Sequence, residues 1–228
     1  MSYHHAGLPP AGPVLRSPDG LANAITLLLV VMIVIDLFSI GAGANMRALM
    51  DDPLSASMAE LNRADAMYMR VGIFQILGTL ATAVVFIIWL HRVRTNAEIF
   101  AADMCSLGRG WAIGAWFVPI ANLWLPYRVA RESWDASTQM GPDGMWRNAP
   151  KGVLNAWWTL WVVGGILSRI GGFVYQGVET PEELKKAAGL LMFCDVLGLA
   201  AAVLAILFVR KLTSMQEIKI MLGPVASV

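Results

Sequence analysis

The chain has 228 residues, 57% hydrophobic and 14% charged, with a formal net charge of +1. Soluble domains carry roughly 25% charged residues, so an ordinary water-soluble domain is excluded, and near-neutrality argues against a nucleic-acid partner. Two cysteines, Cys105 and Cys194, lie far apart in loop-like and helical surroundings. They form neither a disulfide framework nor a thiolate metal site.

Residues 1–17 are rich in Pro and Gly and read as a disordered tail. They hold one basic residue before an apolar run too long for an h-region, so no cleavable signal peptide is expected. His4 and His5 in this tail lack a rigid set of co-ligands. A helix start follows, with Ser17 as N-cap, Pro18 at N1 and Asp19 in the first turn. The first span, 21–44, has about twenty-four residues, enough at 1.5 Å each to cross roughly 30 Å of hydrocarbon. Further spans are expected at 68–90, 153–174 and 188–209, the last preceded by the capping box Thr180-Pro181-Glu182-Glu183. Residues 18–213 thus form a helical membrane domain, with 214–228 as a C-terminal tail.

Between the second and third spans lies GWAIGAWFVPIANLWLPY, Gly110 to Tyr127. Pro119 and Pro126 remove backbone hydrogen bonds, and lipid cannot replace them. The expected fold is therefore all-α and integral to the membrane, with four crossings and a re-entrant or interfacial segment over about 110–137; five crossings are the alternative. Four crossings put eleven Lys and Arg on the tail side and five on the other, with Arg169 inside a helix. The better five-crossing orientation divides them ten to six. The positive-inside rule then places both termini in the cytoplasm. Trp89, Trp111, Trp116, Trp124, Trp134, Trp146, Trp157, Trp158 and Trp161 all fall toward that same interface. No internal repeat supports an inverted-repeat transporter.

The stretch Gly110 to Ser137, GWAIGAWFVPIANLWLPYRVARESWDAS, resembles the signature of a bacterial membrane-protein family, Domain of Unknown Function 4328. Its pattern is a Trp-rich run with a Pro, an Asn and a second Pro, then an Arg-bearing helix with a late Trp. The matching positions are Trp116, Pro119, Asn122, Pro126, Arg131 and Trp134. The likeness extends over about Leu21 to Lys211 and is specific in this stretch. It implies a multi-pass protein of the bacterial plasma membrane and no particular activity.

Four polar residues interrupt the spans: Asp36, Gln75, Arg169 and Asp195. With four crossings they share a depth of roughly 8–12 Å below the outer boundary. A charge at a helix centre costs about 2.5–3.5 kcal/mol on insertion scales, so Arg169 is expected to pair with Asp36, Asp195 or both. The layer reads either as a register-fixing ion pair or as a pocket for an ion, a proton or a small ligand. A second group is interfacial: Trp111, Trp116, Pro119, Asn122, Trp124, Pro126, Arg128, Arg131 and Trp134. Arg128 with Glu132, and Arg131 with Asp135, are spaced i,i+4 for ion pairs. This helix suits anionic inner-leaflet headgroups, a membrane-protein partner or a second copy of the chain.

Met46, Met50, Met58, Met67 and Met69 lie in or beside the outer loop, where packing explains them better than Cu(I) binding. His91 stands alone at a helix end. Asp51-Asp52-Pro53 reads as a helix start. No catalytic constellation, phosphate loop or metal motif is present, and no cofactor is expected. The leading expectation is a non-enzymatic accessory or scaffolding protein that binds a partner through its Trp-rich cytoplasmic face. The alternative is a small transporter, channel or sensor built on the polar layer.

Overall fold

A computed structural model describes residues 14–51, 56–139 and 148–222. Six α-helices follow in order: α1 (Asp19–Leu49), α2 (Met58–Phe100), α3 (Trp111–Gly114), α4 (Leu125–Ala136), α5 (Gly152–Gln176) and α6 (Pro181–Met221). Among the described residues there is no strand, and α1, α2, α5 and α6 are long and apolar enough to cross a membrane. Residues 110–127 form no fifth crossing. They comprise the single turn of α3, a series of turns, a 3₁₀ turn at Ala121–Leu123 and the start of α4.

The sequence places all four spans, but the helices overrun them. α2 has 43 residues and α6 has 41, about 60 Å each and twice the hydrocarbon thickness. The region expected to be a tail from 214 onward continues α6 to Met221, with Met215 and Gln216 buried. Start signals behave as their chemistry dictates. α1 begins one residue later than expected, at Asp19, and the Ser17 hydroxyl accepts from the Asp19 N–H at 3.2 Å. The Thr180–Glu183 capping box forms at α6. A second box, Ser57–Glu60, opens α2; its Ser-x-x-Glu spacing was readable but went unassigned. Asp52, Pro53, His4, His5 and Trp146 lie outside the described residues.

α1 packs between α2 and α6, and α6 packs between α1 and α5. The approach of α1 to α6 depends on Gly43, where a Cβ would fall 2.7 Å from Met192 Cγ. α2 and α5 form the two edges of this arc and are not among its closely packed pairs. They are bridged by aromatic rings at both ends: Tyr68 stacks on Tyr175 at 5.7 Å at one, and a larger cluster joins them at the other, where α1 begins and α6 ends, here the proximal end. Phe86 of α2 lies 5.4 Å from Trp157 of α5 and 5.8 Å edge-on from Trp116 of the turn segment, ring centre to ring centre. Trp157 stacks on Phe208 of α6 at 4.9 Å, and Trp89 meets the same Phe208 edge-on at 5.6 Å. Inside lipid this association draws on close packing and ring electrostatics rather than on release of water.

Beyond the spans, the proximal extensions of α2 and α6 hold α4 and the chain entry in a buried polar network. Asn96 Nδ2 donates to Gln216 Oε1 at 3.0 Å and to the Arg16 carbonyl at 2.8 Å, while its Oδ1 accepts from the Arg16 N–H at 3.1 Å. Gln216 Nε2 donates to the Val93 carbonyl and to Ser137 Oγ. Residue 16 is therefore docked rather than part of a free tail, and Ser17 bonds Glu217 of α6. Asn96→Ala strands Gln216 Oε1 and the Arg16 backbone, at a cost of about 1–3 kcal/mol per orphaned buried group. Thermal unfolding of Asn96→Ala, Gln216→Ala and the double variant should show effects that add to less than their sum; full additivity would mean that the two side chains do not act as one network.

Candidate functional site

Three of the four predicted polar residues converge. Asp36 lies on α1, Gln75 on α2 and Asp195 on α6. The single Gln75 Nε2 donates to Asp36 Oδ1 at 2.9 Å and to Asp195 Oδ1 at 3.0 Å, so one amide bridges two carboxylates. Ser39 is buried one turn after Asp36. Gly198, one turn after Asp195, lets α6 close on Asp36: a Cβ there would lie 3.3 Å from Asp36 Oδ2. Neither Ser39 nor Gly198 was singled out from sequence, although each sits three residues from a predicted site residue and so on the same helix face.

Arg169 does not join them. Among the described residues it makes no ion pair with Asp36 or Asp195, and its side chain on α5 is exposed. The expected pairing fails because α5 stands at the edge of the arc opposite α2. Between them is a cavity of about 440 Å³, with Arg169 on one wall and Asp36, Gln75 and Asp195 on another. Asn122 and Leu123 reach this same cavity from the turn segment, so residues 110–127 fold back along its proximal part. At the tip the Ala121 N–H donates to the Pro119 carbonyl at 2.6 Å across Ile120, whose φ is 63° and ψ −49°. A β-branched residue there is strained, and Pro119 forces the reversal that a continuing helix would forbid. Trp158 Nε1 donates to the Leu123 carbonyl and Tyr127 to Asn155 Oδ1, tying the segment to α5.

A second cavity of about 300 Å³ adjoins the first toward the proximal end. Both are lined by Met32, Asp36, Thr79, Trp161, Gly198 and Ala201. Its further walls include Phe86, Trp116 and Trp157, and Asp36 is its one ionisable lining residue. No cluster of three His, Cys, Asp or Glu among the described residues is arranged to hold a metal ion.

The interfacial residues divide between interior and surface. Trp134 is 1% exposed and stacks against Phe208; Pro126 is also buried, and Trp116 is half-buried among Phe86, Trp158 and Trp161. These three are core residues and present little or nothing to a partner. Trp111, Pro119, Trp124, Arg128 and Arg131 remain exposed, with Trp124 at 51%. The Arg128–Glu132 pair forms at 3.1 Å. Arg131 does not pair with Asp135, which bonds Lys151 at 2.6 Å. Sequence reasoning missed Arg94. Although it flanks the second span, it is fully buried, with its Nη2 bonded to Glu132 at 2.8 Å and to the Leu107 carbonyl.

The interfacial stretch carries the sequence signature. A family profile matches residues 52–214, described as a domain of unknown function (DUF4328). The chain belongs to that family. The DUF4328 match spans α2 to most of α6 and leaves out α1, so it is shorter at its start than the likeness read from sequence, and Asp36 stands outside it. No curated protein and no solved structure matches the chain.

Arg169→Ala should leave the midpoint of thermal unfolding nearly unchanged, since an exposed, unpaired residue contributes little. Gln75→Leu should lower stability by about 1–3 kcal/mol by leaving two carboxylates without their shared donor. A larger loss for Arg169→Ala than for Gln75→Leu would contradict this geometry. Near the interface, burial pushes the Glu132 carboxyl up. Its bonds from Ser106, Arg94 and Arg128 outweigh that and hold it below its ordinary value of 4.5. The stabilisation is therefore complete above 4.5 and is lost as pH falls through the lowered value. The stability gap between wild type and Glu132→Gln, followed from about pH 7 to about pH 3, should shrink only in the acid range.

Proposed function

We propose that the protein is a membrane-embedded binding protein of the transporter or sensor class, taking a cation at Asp36 and Asp195. One observation carries this reading: two intramembrane carboxylates share one neutral donor beside a cavity of about 440 Å³, with no cationic partner among the described residues. Carboxylates at such depth are costly unless compensated, and a bound cation compensates them where Arg169 does not. The cavity falls in the usual size range of small-molecule sites, about 300–1,000 Å³. Gln75 keeps the two carboxyl groups apart yet connected, and each keeps an oxygen that the amide does not use. The proximal end faces the cytoplasm of a bacterial cell in this reading, because its exposed Arg109, Arg131, Arg210 and Lys211 suit anionic headgroups.

A second reading, that of a non-enzymatic scaffold with a membrane partner, draws on the exposed Trp124 and Arg131. Native mass spectrometry of gently solubilised protein distinguishes it: one co-purifying protein lost on Trp124→Ala or Arg131→Ala would support scaffolding. For the binding reading, methylammonium should raise the unfolding midpoint of purified protein in a saturable way. Asp36→Asn and Asp195→Asn should abolish the rise, and Gly198→Ala should weaken it by crowding Asp36. An undiminished rise in both Asn variants sinks the reading.

A further inference from the structure

The geometry points to a lipophilic organic cation as the ligand, an onium centre carrying aromatic or aliphatic groups, with its charge at Asp36 and its apolar body among Phe86, Trp116, Trp157 and Trp161. This rests on the reading of Asp36 as a cation site and names the chemistry that the site selects. Asp36 is 7% exposed and is the one ionisable residue lining the chamber of about 300 Å³. The aromatic walls offer almost nothing that replaces a hydration shell, so an inorganic ion would lose more solvation on entering than one carboxylate returns. An onium centre wrapped in carbon has shed most of that hydration already, and the indole faces attract it further. A neutral lipid tail would fill the chamber but ignore the carboxylate, and an anion of the same shape would be repelled by it.

The position of the chamber agrees. It meets the polar cavity at Asp36 and Trp161, so one molecule can place its charge at the junction and its body in the aromatic half. α2 and α5 are bridged by rings at both ends and are not closely packed as helices, so the chamber lies in the gap between the edges of the arc.

The test is equilibrium dialysis of the detergent-solubilised full-length protein against labelled tetraphenylphosphonium and, separately, tetraphenylborate, which match in shape and differ in charge. Saturable binding of the phosphonium alone is expected, weakened about tenfold or more by Asp36→Asn, the scale of one lost contact to a charged group. Trp161→Ala should weaken it as well. Equal uptake of both ions, or phosphonium binding untouched by Asp36→Asn, overturns the inference and assigns the chamber to lipid tails. If Asp36→Asn does not fold, the two ions on wild-type protein and on Trp161→Ala decide. Methylammonium binding that depends on Asp36, without phosphonium binding, defeats this inference alone and leaves the cation-site reading standing. Phosphonium binding that Asp36→Asn weakens, with no response to methylammonium, upholds both and confines the site to lipophilic cations.

Discussion

The constraint on which the molecule depends is that the two edge helices of its arc, α2 and α5, meet through aromatic rings near their ends rather than by close helix packing. At the proximal end Phe86 and Phe208 sit among Trp89, Trp116, Trp134 and Trp157 and join all of the spanning helices but α1 through ring contacts. Further along the bundle α1 and α6 run together, while α2 and α5 remain at the edges of the arc and touch again where Tyr68 stacks on Tyr175. An arc rather than a closed square leaves space between its edges. The two cavities and the polar layer occupy that space. Rings of this size can bridge a gap that aliphatic side chains cannot, which is why the aromatic cluster and the cavity occur together.

The turn segment 110–127 follows from the same constraint. A continuous fifth helix would need its carbonyls paired in lipid, and Pro119 and Pro126 prevent that. Folded back, the segment satisfies most of its own groups locally and borrows Trp158 and Asn155 of α5 for others. Its tip is held in a strained turn at Ile120, and such strain persists only where the surroundings over-determine it. Ile120 is itself 73% exposed, and the turn is held from its two flanks: Trp116 is packed on three sides, and α4 is clamped to α2 by Glu132 and Arg94. The segment thereby contributes Asn122 to the cavity. The DUF4328 match covers this segment together with Gln75, Arg169 and Asp195.

Charge is distributed according to depth. Where water is near, as at Glu132, a carboxylate is surrounded by two guanidinium groups and a hydroxyl. Deep in the bundle, Asp36 and Asp195 share the amide of Gln75 and, among the described residues, make no ion pair. The same side-chain chemistry is a clamp in the first setting. In the second it leaves unused acceptor capacity facing a cavity, and the binding reading is built on that difference.

The sequence by itself determined the approximate spans, the capping box at Thr180 and the prolines that break 110–127, and favoured four crossings over five. Each rests on local properties: apolar length, cap chemistry and the missing N–H of proline. It also picked out Asp36, Gln75, Arg169 and Asp195, since a polar residue inside an apolar run is conspicuous in one dimension. Only the tertiary structure decided which of the four meet, because helix order around a bundle and the rotation of each face are set by packing contacts far apart in the chain. Arg169 was expected to pair because it shares a depth with the acids, and it does not because α5 lies across the cavity. The tryptophans were read as a surface belt from their common depth. Packing against Phe86 and Phe208 turned Trp89, Trp134 and Trp157 inward and left Trp111, Trp124 and Trp161 exposed, since sequence position carries depth along a helix but not direction around it.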